Sequence, residues 1–424
     1  MKPSTLLFFA AVLTFAQAPS DPRARVKAVR DYLKGDDPAP KIAPYLADVD
    51  LSVRLEATKA LVEIGGPKTV EPLLKATEDN DAEVQIRAAE GLINVYQPGY
   101  IKNGISGSIQ RAGGAVRAKF GGSNEQIIDA YVTVPPEVIS ALGRLVSGGA
   151  SWESRAAAAR GLGVLRGKAA LPELIEALRA KNDQLMYEAL IAIQKIGDPS
   201  AGPGIEFRLH DLDDRIQTAA LETTGILQNR EAAPQVADVF DHARNQKVKR
   251  VAATTLAQLA RPEDRAYFLM WLNDRDDLIR AAGAEGLGRL KIAQDRPALE
   301  MVLKSERILA PRIAEAFGVV SLGNLDTAEL SPFSYLIDSL NAKSSRADGQ
   351  PYFIELARDP EVRRTIYTYI PKASKEVKMS LCYILSVSGD KDSIPVLEML
   401  SMDPDAQVAQ EGIRGLRSLR ARLP

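Results

Sequence analysis

One pattern returns along this chain every 31 or 32 residues, and it restricts the possible folds more than any other feature. Residues 50–65 read Asp-Leu-Ser-Val-Arg-Leu-Glu-Ala-Thr-Lys-Ala-Leu-Val-Glu-Ile-Gly, and residues 276–287 read Asp-Asp-Leu-Ile-Arg-Ala-Ala-Gly-Ala-Glu-Gly-Leu. Counted from Val53 or Ile279, apolar or small residues fall at offsets zero, four, seven and eight, which is one stripe of an amphipathic helix. The index position recurs at Pro22, Val84, Ser154, Leu185, Ile216, Val248, Pro311, Val377 and Val408. A unit this short cannot bury its apolar face alone, so successive units must stack and each must contact its neighbours. Two intervals are longer, from Ser154 back to Val84 and from Val377 back to Pro311. Each is about two periods and is expected to hide one degenerate repeat, with Val116-Arg117 a disguised member in the first.

Three residues before the index stand Asp50, Asp81, Ser151, Asn182, Asp213, Asn245, Asp276, Ser374 and Asp405. This is a column of helix N-caps, whose side-chain oxygens accept from first-turn amides that have no partner within the helix. A second column, Pro72, Pro172, Pro203, Pro234, Pro297 and Pro395, lies about eighteen residues after the index, where proline suits a first helical turn. Each period is therefore a helical hairpin. An outer helix opens near the proline, and an inner helix opens at the cap and closes near a glycine such as Gly65, Gly197, Gly323 or Gly389.

The unit Asp-x-x-Val-Arg-x-x-x-Ala-x-x-Ala-Leu-x-x-Ile-Gly of residues 50–65 resembles the HEAT repeat, in the short form of about thirty residues seen in phycobilisome-lyase-type HEAT-like proteins. The resemblance covers nearly all of the chain beyond its first residues. It implies an all-α, right-handed α-solenoid of stacked antiparallel hairpins, about 11 clear repeats plus 2 degenerate ones, with the inner helices lining a concave face used for protein binding. It also implies that the basic residues one place after the index, Arg54, Arg155, Lys249, Arg280, Arg312 and Lys378, pair with the cap acid of an adjoining repeat.

The first residues need separate treatment, because targeting segments are not part of a fold. Lys2 precedes an apolar run from Leu6 to Phe15 and then Ala16-Gln17-Ala18, the pattern of a signal peptide over residues 1–18. That run is shorter than the roughly 20 apolar residues a spanning helix requires. The expectation is an exported protein, periplasmic or secreted, with no transmembrane span.

Composition removes several functions. The chain carries 54 Lys and Arg against 55 Asp and Glu, so it lacks the excess of cations with which proteins displace counterions from nucleic acid. One cysteine, Cys382, makes neither an internal disulfide nor a thiolate zinc site. It falls beside the stripe residue Leu381 and reads as a packed thiol. His210 and His242, both six residues before an inner-helix index, are the weak candidates for a metal pair; solvated helix-end histidines explain them without function. HEAT-like metal hydroxylases carry His-Glu pairs, and here Asp211 and Ala243 follow instead. The acidic runs 211–214 and 274–277 lack the alternating ligands and central glycine of a calcium loop, so capping accounts for them. No nucleotide fingerprint or serine-hydrolase elbow is present. No cofactor is expected.

Two segments break the rule. Residues 97–134 are irregular. From Tyr100 to Gly122 they hold Lys102, Arg111, Arg117 and Lys119, six glycines and no acid, while Ile101, Ile105, Ile109, Ala112, Val116 and Phe120 keep a helical spacing. This is either a glycine-weakened repeat helix or a basic flap that orders on an acidic partner or a membrane surface. Tyr100, Lys102, Arg111, Arg117, Lys119 and Phe120 are accordingly the candidate partner-binding residues. Residues 326–373 hold Phe333, Tyr335, Tyr352, Phe353, Tyr367 and Tyr369, expected to fill the core of a distorted repeat. The chain reads as a non-catalytic scaffold that binds a protein partner through its concave face and the irregular segment. The alternative is a lyase or chaperone-like protein holding a small ligand or chromophore in the groove.

Overall fold

The computed structural model describes residues 21–101 and 127–423. Among these the regular structure is helical throughout, α-helices joined by short 3-10 turns, with no strand. One series forms the inner wall: α1 (Pro22–Leu33), α3 (Leu51–Ile64), α5 (Ala82–Tyr96), α7 (Trp152–Val164), α9 (Asp183–Ile196), α10 (Asp214–Ile226), α12 (Gln246–Leu259), α14 (Asp277–Leu290), α16 (Leu309–Ser321), α18 (Lys343–Leu356), α20 (Lys375–Ser388) and α22 (Ala406–Arg422). Each packs on the next. The outer series is shorter: α2 (Pro38–Ile42), α4 (Val70–Ala76), α6 (Pro136–Gly148), α8 (Leu171–Ala177), α11 (Ala233–His242), α13 (Arg265–Trp271), α15 (Arg296–Ser305), α17 (Pro332–Asp338), α19 (Pro360–Tyr369) and α21 (Ile394–Leu400). Between α9 and α10 the outer element is only 3-10, Pro199–Gly204 and Glu206–Arg208. The result is an all-α solenoid.

The inner helices begin where side-chain acceptors stand. Asp50, Asp81, Ser151, Asn182, Asp213, Asn245, Asp276, Ser374 and Asp405 all occupy the N-cap and accept from amides two or three residues on. The index residues behind them, from Val53 to Val408, are buried in the stripe that faces the outer helix and the neighbouring layers. Small residues let inner helices approach closely. A Cβ on Gly288 would lie 2.7 Å from the Cα of Gly318, and one on Gly163 would lie 2.8 Å from the Cα of Ala192. These approaches seat each inner helix directly on the next, on the side that the resemblance expects to be concave.

Three expectations change. The first inner helix is capped by Asp21, and Arg25 pairs with Asp48 at 2.7 Å as Arg54 pairs with Asp79 at 2.7 Å. The residue equivalent to Val53 is therefore Ala24, not Pro22; proline's preference for a first turn placed it two positions early in the register. Secondly, among the described residues no layer stands between α5 and α7. α5 and α7 pack directly on one another: a Cβ on Gly161 would lie 2.8 Å from Cδ1 of Ile93, and the Ala150 amide donates to the Gln85 carboxamide oxygen at 2.8 Å. Val116 and Arg117 lie outside the described residues, but the slot beside α5 is filled by α7. The irregular segment is an insertion. The second interval does hold a hidden layer, built from α17 and α18. Its cap position is Ala342, which offers no side-chain acceptor, and this is why the layer is hard to read.

Thirdly, three of the basic column pair with acids two residues ahead of the cap, while Arg155 donates to the Val146 carbonyl at 2.6 Å and Lys249 and Arg312 lie over the rings of Phe240 and Tyr335. Arg54 meets Asp79, Arg280 meets Glu306 at 2.8 Å, and Lys378 meets Asp403 at 2.8 Å. Asp48, Asp79, Asp211, Asp274 and Asp403 each also accept from the amide of the following cap aspartate. The inter-layer tie and the cap are thus separate acids in one Asp-x-Asp turn. The cap itself is free to take other cations, as Asp276 takes Arg250 and Asp405 takes Lys375.

Candidate functional site

At about 100° per residue, the position six after the index points away from the buried stripe and into the groove. From the first layer to the last that position holds Arg30, Lys59, Glu90, Arg160, Ile191, Glu222, Thr254, Glu285, Phe317, Pro351, Tyr383 and Arg414. Charged residues prevail there, and two of them pair with the next layer. The residue six after the index in one layer meets the residue three after it in the next: Arg30 to Glu56 at 2.6 Å, and Arg160 to Glu188 at 2.7 Å.

Around Arg160 these groups gather most densely. Glu188, 7% exposed, accepts from Arg160 and from the Gln184 carboxamide at 2.9 Å. Burial works against the charge on Arg160, but Glu188 outweighs it and holds the guanidinium above its ordinary value. Lys195 is buried one helical face away. Desolvation, resisted by Glu188 and reinforced by Arg160, pulls its ammonium down to about 8. On α10, desolvation raises the carboxyl of Glu222 against the opposing pull of Lys247. Tyr100 leans onto this patch from the start of the insertion, with its phenol raised first by burial and its hydroxyl in reach of Arg160. The patch offers a guanidinium, an amine, two carboxylates and a phenol on a partly dry, concave surface. Such a set supplies donors and acceptors to a bound chain, and it contains no nucleophile paired with a base and an oxyanion site.

A second charged group, further along, is closed. α18 reaches past α16 to α14, where Arg289 Nη2 lies 2.8 Å from Glu355 and its Nη1 meets Glu285. Tyr352 stacks on Phe317 with ring centroids 4.4 Å apart, and its hydroxyl donates to Glu285 at 3.4 Å. Every charge here has a partner under an aromatic roof, so this group fastens the distorted layer. Phe333 and Phe353, fully buried and edge to face at 5.9 Å, form the core beneath it.

Of the partner-binding candidates, Tyr100 is placed on the groove; Lys102, Arg111, Arg117, Lys119 and Phe120 lie outside the described residues. His210 and His242 come together at Asp238, at 4.0 Å and 3.2 Å from its carboxylate. The Nδ1 of His242 is also 2.9 Å from the backbone carbonyl of Asp238. Among the described residues no group of three His, Cys, Asp or Glu side chains is placed to hold a metal ion. Cys382 is buried, and its thiol is pushed up to about 12 by desolvation, with Glu411 and Asp403 adding to the effect. Arg160, Glu188 and Lys195 were not singled out from the sequence. The signal was present, since Arg30 and Glu56 repeat the same offsets, but it is visible only once the register is aligned layer on layer.

A family model described as HEAT repeats matches residues 10–96 and 139–225. The second match resumes within α6, in agreement with an insertion between α5 and α6. The chain is similar to several solved structures. An engineered protein is 18% identical, with 90% of this chain and 98% of that chain covered and a TM-score of 0.38. The complex of CpcE and CpcF of phycocyanin lyase from Nostoc sp. PCC7120 is 18% identical, with 64% and 94% covered and a TM-score of 0.37. A chain from a study of the interaction between cadherin and beta-catenin is 12% identical, with 95% and 98% covered and a TM-score of 0.40. No curated protein matches the chain.

Proposed function

We propose that this α-solenoid of HEAT repeats is an exported, non-catalytic scaffold that binds a protein partner along its groove. The observation that carries this reading is the patch of Arg160, Glu188, Lys195 and Tyr100: polar groups set on a concave wall, beside the point where the insertion leaves the stack. A rigid curved wall of this kind binds an extended or helical segment with little reorganisation of its own. Repeats of this family commonly mediate protein interaction, and among the described residues no helix is long and apolar enough to cross a membrane. The leader-like residues Lys2 to Ala18 support export.

The test is affinity capture from the native envelope with the full chain and with Arg160→Ala and Lys195→Ala variants. The expected result is one protein captured stoichiometrically by the parent and lost from both variants, each of which melts at the parent's temperature within a few degrees. A bound chromophore or other small molecule in place of a protein overturns the reading in favour of a ligand-holding role. A second measurement addresses the insertion: replacing Lys102, Arg111, Arg117 and Lys119 together with Gln is expected to weaken capture and its salt dependence while leaving thermal stability nearly unchanged. Intact-mass analysis of the exported protein, expected to show trimming near Ala16 or Ala18, tests the compartment.

A further inference from the structure

The last inner helix meets a residue 285 positions earlier in the chain. Arg414 on α22 grips Asp129 with its fork, Nη2 to Oδ1 at 2.8 Å and Nε to both carboxylate oxygens at 3.1 Å. Tyr131 donates to the same carboxylate at 2.9 Å. Asp129 sits on the returning limb of the insertion, residues 127–135, which holds no helix or strand and is tied to α7 by the Ile128 amide on the Val164 carbonyl at 3.0 Å. Ile128 is buried, while Val132 and Val134 rest on the core, so the limb lies on the stack; it turns at residues 130–131, where the Val132 amide donates to the Asp129 carbonyl at 3.0 Å.

Arg414 stands six after the index Val408, the same groove position as Arg160. α22 carries Arg414, Arg417, Arg420 and Arg422 against the single acid Glu411. Arg420 is engaged by Glu398 at 2.6 Å, and Arg422 donates to the carbonyls of Ser386 and Gly389. Arg414 and Arg417 are the cations that face outward from their own layer, and the field of Arg417 reaches Tyr131. A planar carboxylate matches the guanidinium fork in a way that a round anion does not.

We propose that Arg414 and Arg417 form a recognition point for an extended acidic peptide segment of a partner, and that Asp129 occupies it as an internal competitor. This rests on the scaffold reading and names the chemistry of the partner. The pair is half exposed, at 52% and 25% for the two side chains, so an exchange of one carboxylate for another is cheap.

The experiment measures binding of a fluorescent octaglutamate peptide to the full chain at low salt. Asp129→Asn is expected to raise affinity by about fivefold to tenfold, because the bound carboxylate no longer competes. Arg414→Gln on the Asp129→Asn background is expected to cancel the gain, with thermal melting unchanged in both. An affinity in Asp129→Asn equal to the parent's overturns the proposal, as does a gain that survives Arg414→Gln. An equal gain for anionic phosphatidylserine vesicles or a single-stranded oligonucleotide also overturns it, since the site would then be a general cationic patch. The scaffold reading fails separately, when the parent captures no protein partner; this inference alone fails when a captured partner is indifferent to Arg414→Gln.

Discussion

At the scale of single residues, the informative side chains are those whose environment opposes their charge. Glu315 on α16 is 1% exposed, and one of its oxygens has no hydrogen-bond partner. Desolvation, with Glu306 adding to it and Arg280 and Arg312 opposing, pushes its carboxyl up to about 8. Its folded value lies above the unfolded one, so the stability it contributes is fully present below about 4.5 and is lost as pH rises through about 8. Glu315→Gln is expected to raise stability by roughly 1–3 kcal/mol at pH 8, with little effect at pH 4.5, as measured by urea unfolding at the two values. Parallel pH profiles for the two proteins would remove Glu315 as the cause. Asp79 shows the opposite arrangement. It takes both Arg54 and the amide of Asp81, and Asp79→Ala is expected to cost about 1–3 kcal/mol, more than the cap substitution Asp276→Ala at about 0.5–2 kcal/mol. Cap residues were legible because Ser, Asn and Asp have a single reason to stand at one fixed place. The tie acids were not, because Asp48, Asp79 and Asp403 merge in sequence with the caps two positions on, and only the fold separates the two duties.

At the scale of helices, glycine inside α14 is the telling feature. Gly286 faces the Phe268 ring, which a Cβ would meet at 2.6 Å, and Gly283 faces the Phe268 carbonyl at 2.8 Å. Phe268 and Trp271 on α13 are fully buried in the space those glycines leave, 5.6 Å apart. Alanine usually stabilises a helix interior by about 1 kcal/mol over glycine. Here Gly286→Ala is expected to destabilise by roughly 1–3 kcal/mol, because the ring it would strike is packed on all sides. Hydrogen exchange should show the loss within residues 265–290. Unchanged or slower exchange there would mean that α13 can shift outward freely. The periodicity made most inner helices legible from sequence, since offsets of four and seven repeat without a break. It failed at α18, where Ala342 caps nothing and Pro351 lies within the helix, and at α1, where a proline imitated the index.

Among the described residues of the whole molecule the apolar core divides into a long cluster reaching to Val319 and a shorter one from Ile313 to Leu419, meeting at α16, with a small third cluster of Ala76, Val84 and Ala88. Layers that contact only their neighbours need not unfold together. The shorter cluster is expected to open first in urea, so that exchange of amides in α18, α20 and α22 accelerates at a lower concentration than in α7 to α12. A single coincident transition would refute this. The clasp between Asp129 and Arg414 bears on shape as well as on recognition: raising salt toward 1 M, or Asp129→Asn, is expected to enlarge the radius of gyration seen by small-angle scattering. The solenoid and its register were open to a reader of the sequence, because they depend on local spacing. The clasp and the groove patch were not, since both depend on how far the stack curves, which no single repeat encodes.

The direct seating of α7 on α5 keeps the stack continuous across a long stretch of chain. Chain can be added between Ile101 and Ile127 without opening the joint, because the helices on either side already pack on one another. The same stretch is where a reporter domain could be spliced, or the chain reopened with new ends, while Gln85 and Ala150 keep the two courses of the wall in register.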